Sequence, residues 1–226
     1  MKKVILSAAL VALTGLTYAQ KPTAGAVTGE VELRFQTGGD YVHVLSPNLN
    51  ARYFLQDDLA LRLSLGVNTS STSNDFTENA DGTGGSGTYE TSSSNFGIGV
   101  GIEKHFAGTE RLSPYIGAGI NFSTGSSSQT GTNSDGTMYM ASYSKKVDGA
   151  SSSSFGIGVN AGADYYFVNS IYLGIEVGLG FRTGSLGKST TTETSGGVTV
   201  TSISQGGSAS GISVGPISGL RLGFIF

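Results

Sequence analysis

The charges of this chain keep to one side of its apolar alternation. In residues 59–69, Leu59, Leu61, Leu63, Leu65 and Val67 alternate with Ala60, Arg62, Ser64, Gly66 and Asn68, the period-two pattern of a strand with two unlike faces. The same reading gives eight candidate strands, at about 28–36, 48–56, 59–69, 94–106, 114–124, 154–167, 171–183 and 211–226. One parity collects Glu30, Glu32, Arg34, Arg52, Arg62, Glu103, Asp164, Glu176, Arg182 and Arg221, with His105 beside them. The apolar parity holds only Lys104, near a strand end where its stem can snorkel. A soluble sandwich would put charge outside and apolar side chains inside. The reverse arrangement suits lipid, where a charge at the bilayer midplane costs ~2–4 kcal/mol.

The connections and borders fit a membrane barrel. Turns near 57–58, 107–113 and 168–170 are short, whereas 70–93, 125–153 and 184–210 are long and rich in Ser, Thr and Gly. The expected fold is all-β: an eight-stranded antiparallel transmembrane β-barrel with short periplasmic turns and long extracellular loops. Within the long segments, 138–147 and 198–203 read as strand extensions above the membrane. Phe35, Phe96, Phe122, Phe155 and Phe181 share the outward parity near the long connections; Tyr53, Phe106, Tyr165, Phe167, Phe224 and Phe226 mark the opposite end. These are candidate aromatic girdles. The final strand, with Leu220, Leu222, Phe224 and Phe226 on one face, would be an aggregation-prone edge unless it closed a barrel.

Residues 92–100 recur 59 positions later as 151–159, and 119–126 recur as 178–185, so the hairpin is the building unit. The inward parity carries five acids (Glu30, Glu32, Glu103, Asp164, Glu176) and five arginines (Arg34, Arg52, Arg62, Arg182, Arg221). Eight strands enclose only enough room for side chains, so a salt-bridge network plugging the lumen is expected, with His105 hydrogen-bonding inside it. Glycines at 97, 99, 101, 117, 119, 156, 158, 162, 174, 178 and 180 leave space for long side chains of facing strands. The alternative use of the same charges is a gate, in which an arginine exchanges carboxylate partners to open a narrow path for small solutes.

Other chemistry finds little support. No cysteine is present, and neither a metal site nor a cofactor is expected: Gly97–Gly101 lies within a strand with no helix to follow, and Asp75, Glu78, Asp81 and Glu90 lack calcium-loop spacing. Lys145 and Lys146 read as plain surface. His43, near Asp40 and Ser46, is the one place for a lipid-modifying Ser/His/acid site, and the enzyme reading rests on that alone. Lys2 and Lys3, the apolar run from Val4 to Leu16 and Thr17-Tyr18-Ala19 read as a signal peptide over 1–19, cleaved near Ala19 and leaving 20–226 as the barrel. Removing the two lysines takes the net charge from 13 − 16 = −3 to 11 − 16 = −5, which argues against a nucleic-acid partner.

The chain resembles the small bacterial outer-membrane β-barrel families typified by OmpX, OmpW and the OmpA membrane domain, of porin type. The resemblance is carried by residues 53–62 (YFLQDDLALR), by 110–119 (ERLSPYIGAG) and by the ending 220–226. It implies a bacterial outer-membrane location, surrounding outer-membrane lipid and lipopolysaccharide, and a terminal Phe226 that serves as an assembly signal for the barrel assembly machinery. It is nearly silent on activity. The function expected is a non-enzymatic structural and surface-interaction role, in membrane integrity or adhesion, with an extracellular ligand met through the loops.

Overall fold

The computed structural model describes residues 21–33, 35–38, 41–44 and 48–226, with side chains described outside 32–48 and 213–219. The proposed signal peptide, Arg34 and the side chains of Glu32, Phe35 and His43 lie outside the described residues. In chain order the strands are β1 (Val27–Leu33), β2 (Phe35–Gly38), β3 (Tyr41–Val44), β4 (Asn48–Gln56), β5 (Leu59–Thr77), β6 (Ser86–His105), β7 (Leu112–Ser134), β8 (Tyr139–Asp148), β9 (Ser152–Val168), β10 (Ile171–Leu186), β11 (Ser189–Ser195), β12 (Val198–Ser204) and β13 (Gly207–Ile225).

Eight of them close a ring, β1-β4-β5-β6-β7-β9-β10-β13 and back to β1, with every pairing antiparallel. The seam joins the first and last strands, with Thr28 opposite Ile225 and Leu33 opposite Leu220. There the Phe226 amide donates to the Val27 carbonyl at 2.9 Å. Closure removes the free edge that the apolar last strand would otherwise present.

The outer surface is apolar across the band. Leu61, Leu63, Leu65, Ile98, Val100, Ile102, Ile116, Ile120, Ile157, Val159, Val177 and Leu179 are all exposed. Phe96, Phe122, Phe155 and Phe181 are exposed toward the long-hairpin end, and Tyr53, Phe106, Tyr165 and Phe167 toward the short-turn end. Phe224 is half-buried and Phe226 fully outside. Lys104 pairs with Asp58 of the β4–β5 turn, so its charge is met by the protein as well as by solvent.

The long polar connections are largely strand. Past the last outward apolar pair, Val67 opposite Phe96, the β5–β6 ladder continues for ten more pairs, from Asn68 opposite Asn95 to Thr77 opposite Ser86. At ~3.3 Å per residue that is roughly 30 Å of polar hairpin. Serine and threonine sustain it because the strands' own ladder satisfies the backbone, and alternation of hydrophobicity is needed only where one face meets lipid. On the upper part of β7 are added β8, then β11, then β12, a lateral sheet outside the ring. Its tips are well-formed turns. Gly196 and Gly197, at φ 56° and 82°, form the tight type I′ bend between β11 and β12. Asp81 and Asp135 accept hydrogen bonds from Thr83 and Thr137 respectively, both hydroxyl and amide, which hold each carboxyl below its ordinary value. Lys145, expected as plain surface, reaches Glu193 of β11 at 3.2 Å.

Candidate functional site

The interior toward the short-turn end is a charged cluster to which every strand of the ring contributes: Glu30 from β1, Arg52 from β4, Arg62 from β5, Glu103 from β6, Tyr115 from β7, Asp164 from β9, Glu176 from β10 and Arg221 from β13. Arg52 Nη1 lies 2.6 Å from Asp164 Oδ2 and 3.0 Å from Glu30 Oε1. Its Nε is 2.7 Å from Glu103 Oε2, an ion-pair contact outside hydrogen-bond alignment. Arg221 donates through Nη1 to Glu30 Oε2 at 3.1 Å and through Nη2 to Asp164 Oδ1 at 3.0 Å and to the Tyr115 hydroxyl. Arg62 Nη1 bridges Glu103 Oε1 at 3.1 Å and Glu176 Oε2 at 2.6 Å.

Tyrosines complete the packing. The Tyr115 hydroxyl donates to Glu176 and the Tyr172 hydroxyl to Glu30, each at 2.7 Å. The Arg52 and Arg221 guanidinium groups lie 5.0 and 5.4 Å from the Tyr115 ring centroid, within cation–π range. Below them Tyr166 packs on Tyr172, and His105 packs between Phe54 and Tyr115. His105 Nδ1 is 3.0 Å from the Ser113 hydroxyl and Nε2 is 3.6 Å from Glu103. The cluster sets three arginines against four carboxylates, 3 − 4 = −1 with His105 neutral. Arg52, Arg221, Glu30 and Asp164 side chains are at 0% exposure, and buried charges of this kind persist only when paired.

Glycines make the room. Across the ladder Glu30 faces Gly223, Glu103 faces Gly117, Asp164 faces Gly174 and Glu176 faces Gly162. A Cβ on Gly174 would come within 2.6 Å of Asp164 Oδ1 and 2.7 Å of Arg221 Nη2. Large side chains from one strand therefore occupy space that the neighbour leaves empty.

Toward the long-hairpin end the lumen changes character. Gly101, Gly119, Gly158 and Gly180 stand opposite one another across β6, β7, β9 and β10, so these four strands present backbone and no side chain to the lumen here, while Arg62 of β5 stands beside Gly101. The result is a cavity of about 720 Å³ with Arg62, Glu103, Glu176, Asn50 and Asn160 at its floor and Asn95, Asn121, Ser123 and Arg182 on its walls. Among the described residues, side chains thus fill only part of the barrel. Arg182 stands apart from the ion-pair cluster to which its parity assigned it. Among the described residues it meets no carboxylate, and it donates instead to Ser123 and Ser154 at 2.7–3.0 Å. Parity gave its face correctly but not its height, which lies a glycine belt away from the acids.

Glu30, Arg52, Arg62, Glu103, Asp164, Glu176 and Arg221 are therefore brought together, Arg182 is not, and Glu32 and Arg34 fall outside the described side chains. Sequence reasoning missed Tyr115 and Tyr172. The signal was present, since both share the inward parity of their strands, but an uncharged aromatic on that parity draws no attention.

A closed antiparallel ring with an apolar exterior and a polar, ion-paired interior defines an outer-membrane β-barrel. The chain belongs to the putative OmpA-OmpF-like porin family, whose family model matches residues 41–180. A search of curated proteins found no match. Similar solved structures include the N-terminal β-barrel domain of Pseudomonas aeruginosa OprF, with 18% identity and TM-score 0.40, covering 91% of this chain and 100% of that one. The attachment invasion locus protein Ail of Yersinia pestis gives 16% identity and TM-score 0.34 over 90% and 100%. OprG of Pseudomonas aeruginosa gives 12% and 0.36 over 92% and 99%.

Proposed function

We propose that this chain is a closed, non-enzymatic outer-membrane barrel that stabilises the membrane and offers its projecting sheet to partners outside the cell. The observation that carries this reading is the cluster fed by all eight ring strands: it crosses the whole lumen, and each of its arginines and carboxylates is ion-paired. Opening a path would separate buried ion pairs, at a cost of about 3–5 kcal/mol for an unpaired partner. The lateral sheet supports the surface role. It ends at β12, where Val198, Val200 and Ile203 are exposed and, among the described residues, one backbone edge is unpaired, the kind of edge to which an extended segment of a partner can add. In this reading a signal peptide is removed near Ala19, the assembly machinery reads the strand ending in Phe226, and lipid with lipopolysaccharide surrounds the apolar band. No cofactor and no nucleic acid is involved.

A narrow gated channel is the second reading. Its motivating observation is Arg62, shared between Glu103 and Glu176 at the cavity floor with its side chain 14% exposed. Planar-bilayer conductance of the refolded protein separates the two, with Glu176→Gln measured alongside. Silent membranes for both proteins are expected; discrete openings that change with Glu176→Gln would establish the gate instead.

A further inference from the structure

The cavity above the charged cluster has donors with nothing to donate to. Asn50, 4% exposed, has a buried Nδ2 without an acceptor among the described residues; Asn160 Nδ2 and Arg62 Nε are in the same state. All three residues border the cavity. The buried acceptor nearby, Glu103 Oε2, is already 2.7 Å from Arg52 Nε. On the wall, Arg182 carries a positive charge that no described carboxylate answers, and its guanidinium is held in place by Ser123 and Ser154. Unsatisfied buried donors are uncommon in folded proteins; those of Asn50, Asn160 and Arg62 share this space with a cation, while those of Arg52 and Arg221 lie in the cluster below.

We propose that the long-hairpin half of the lumen is a blind cup for a small organic oxyanion, a carboxylate or a phosphate ester, admitted from outside the cell. The chemistry selects the class. An acceptor-rich anion satisfies amide and guanidinium donors together, and guanidinium–oxyanion bonds are the stronger charge-assisted kind. A neutral sugar fits less well, because the phenylalanines at this level, Phe96 and Phe122, point outward and leave no ring to stack on. Arg182 is the residue that recruits charge, and the glycine belt supplies volume. The cup does not depend on whether its floor ever opens, so the conductance experiment and the one below fail independently.

The test is calorimetric titration of the refolded full chain, at low ionic strength, with succinate and separately with inorganic phosphate. Saturable binding with a Kd of about 1 mM or tighter is expected for at least one probe, and which one binds tells carboxylate from phosphate. Arg182→Gln should weaken it about tenfold or more, while Arg182→Lys retains part of it. Asn160→Asp, which adds a carboxylate to those of Glu103 and Glu176 on the floor and removes an amide donor, should weaken it without touching Arg182. Heat-modifiable gel mobility confirms that each variant is folded. Failure of both probes to bind the unmodified protein below ~10 mM, or folded Arg182→Gln and Asn160→Asp variants binding as well as the parent, would overturn the proposal.

Discussion

The hairpins β6–β7 and β9–β10 are two renderings of one design, and the contrast between them separates what builds the barrel from what fills it. They share a register: Phe96 faces Thr124 as Phe155, 59 residues on, faces Thr183. At the height of the cavity both carry glycine on the inner face, Gly97 and Gly99 in one, Gly156 and Gly158 in the other. At the height of the cluster they part. Glu103, His105 and Tyr115 of the first hairpin correspond to Gly162, Asp164 and Gly174 of the second, and Gly117 corresponds to Glu176. Large and absent side chains are exchanged, and the two hairpins interlock: Tyr115 stands opposite Gly162. Strand geometry survives repetition, whereas a packed polar core demands that neighbouring copies differ.

Three substitutions sharpen this contrast. Arg52→Met has the largest expected effect. It removes the cation shared by Asp164, Glu103 and Glu30 and takes the cluster from −1 to −2, so stability should fall by about 3–5 kcal/mol. Urea titration followed by gel mobility in vesicles reads this directly, and an unchanged midpoint would mean that the cluster does little to hold the barrel. Gly174→Ala is next: its new methyl would press on Asp164 and Arg221, both fully enclosed, at a cost of about 1–3 kcal/mol. Gly97→Ala is the matched control at cavity height. The nearest atoms to its Cβ lie at 3.7 and 3.8 Å, so the same urea midpoint should move by less than about 0.5 kcal/mol. Equal losses at Gly174 and Gly97 would erase the distinction between the two levels.

Alternation makes the faces of the strands legible in the sequence alone. Leu61, Leu63 and Leu65 outside and Arg62 inside follow from a period of two, and so does the shared interior of Arg52, Asp164 and Arg221. Height along the barrel axis was not legible. It depends on strand stagger, set by pairing between segments remote in sequence, and two residues of identical parity can sit in different compartments. Arg182 is the case in point, and the cavity is another, because glycines read as space for long side chains also border an open volume at Gly101, Gly119 and Gly158. The lateral sheet was only half legible: 138–147 and 198–203 showed some strand character, but Thr190–Ser195 has no apolar alternation, and its pairing to β8 rests on backbone bonds that leave no mark in composition.

The seam gives the cluster one more role. Arg221 belongs to the last strand and Glu30 to the first, and they meet only after the ring has closed. A slip of one residue by the last strand at that junction would turn Arg221 toward lipid and leave Glu30 without it, because side-chain direction reverses with each step. A slip of two would preserve direction but carry the guanidinium roughly 7 Å along the strand relative to the first one, beyond reach of Glu30. The cluster therefore proofreads closure: it rewards a single alignment of the chain's two ends, and a wrongly zipped barrel holds stranded charge that favours reopening over persistence.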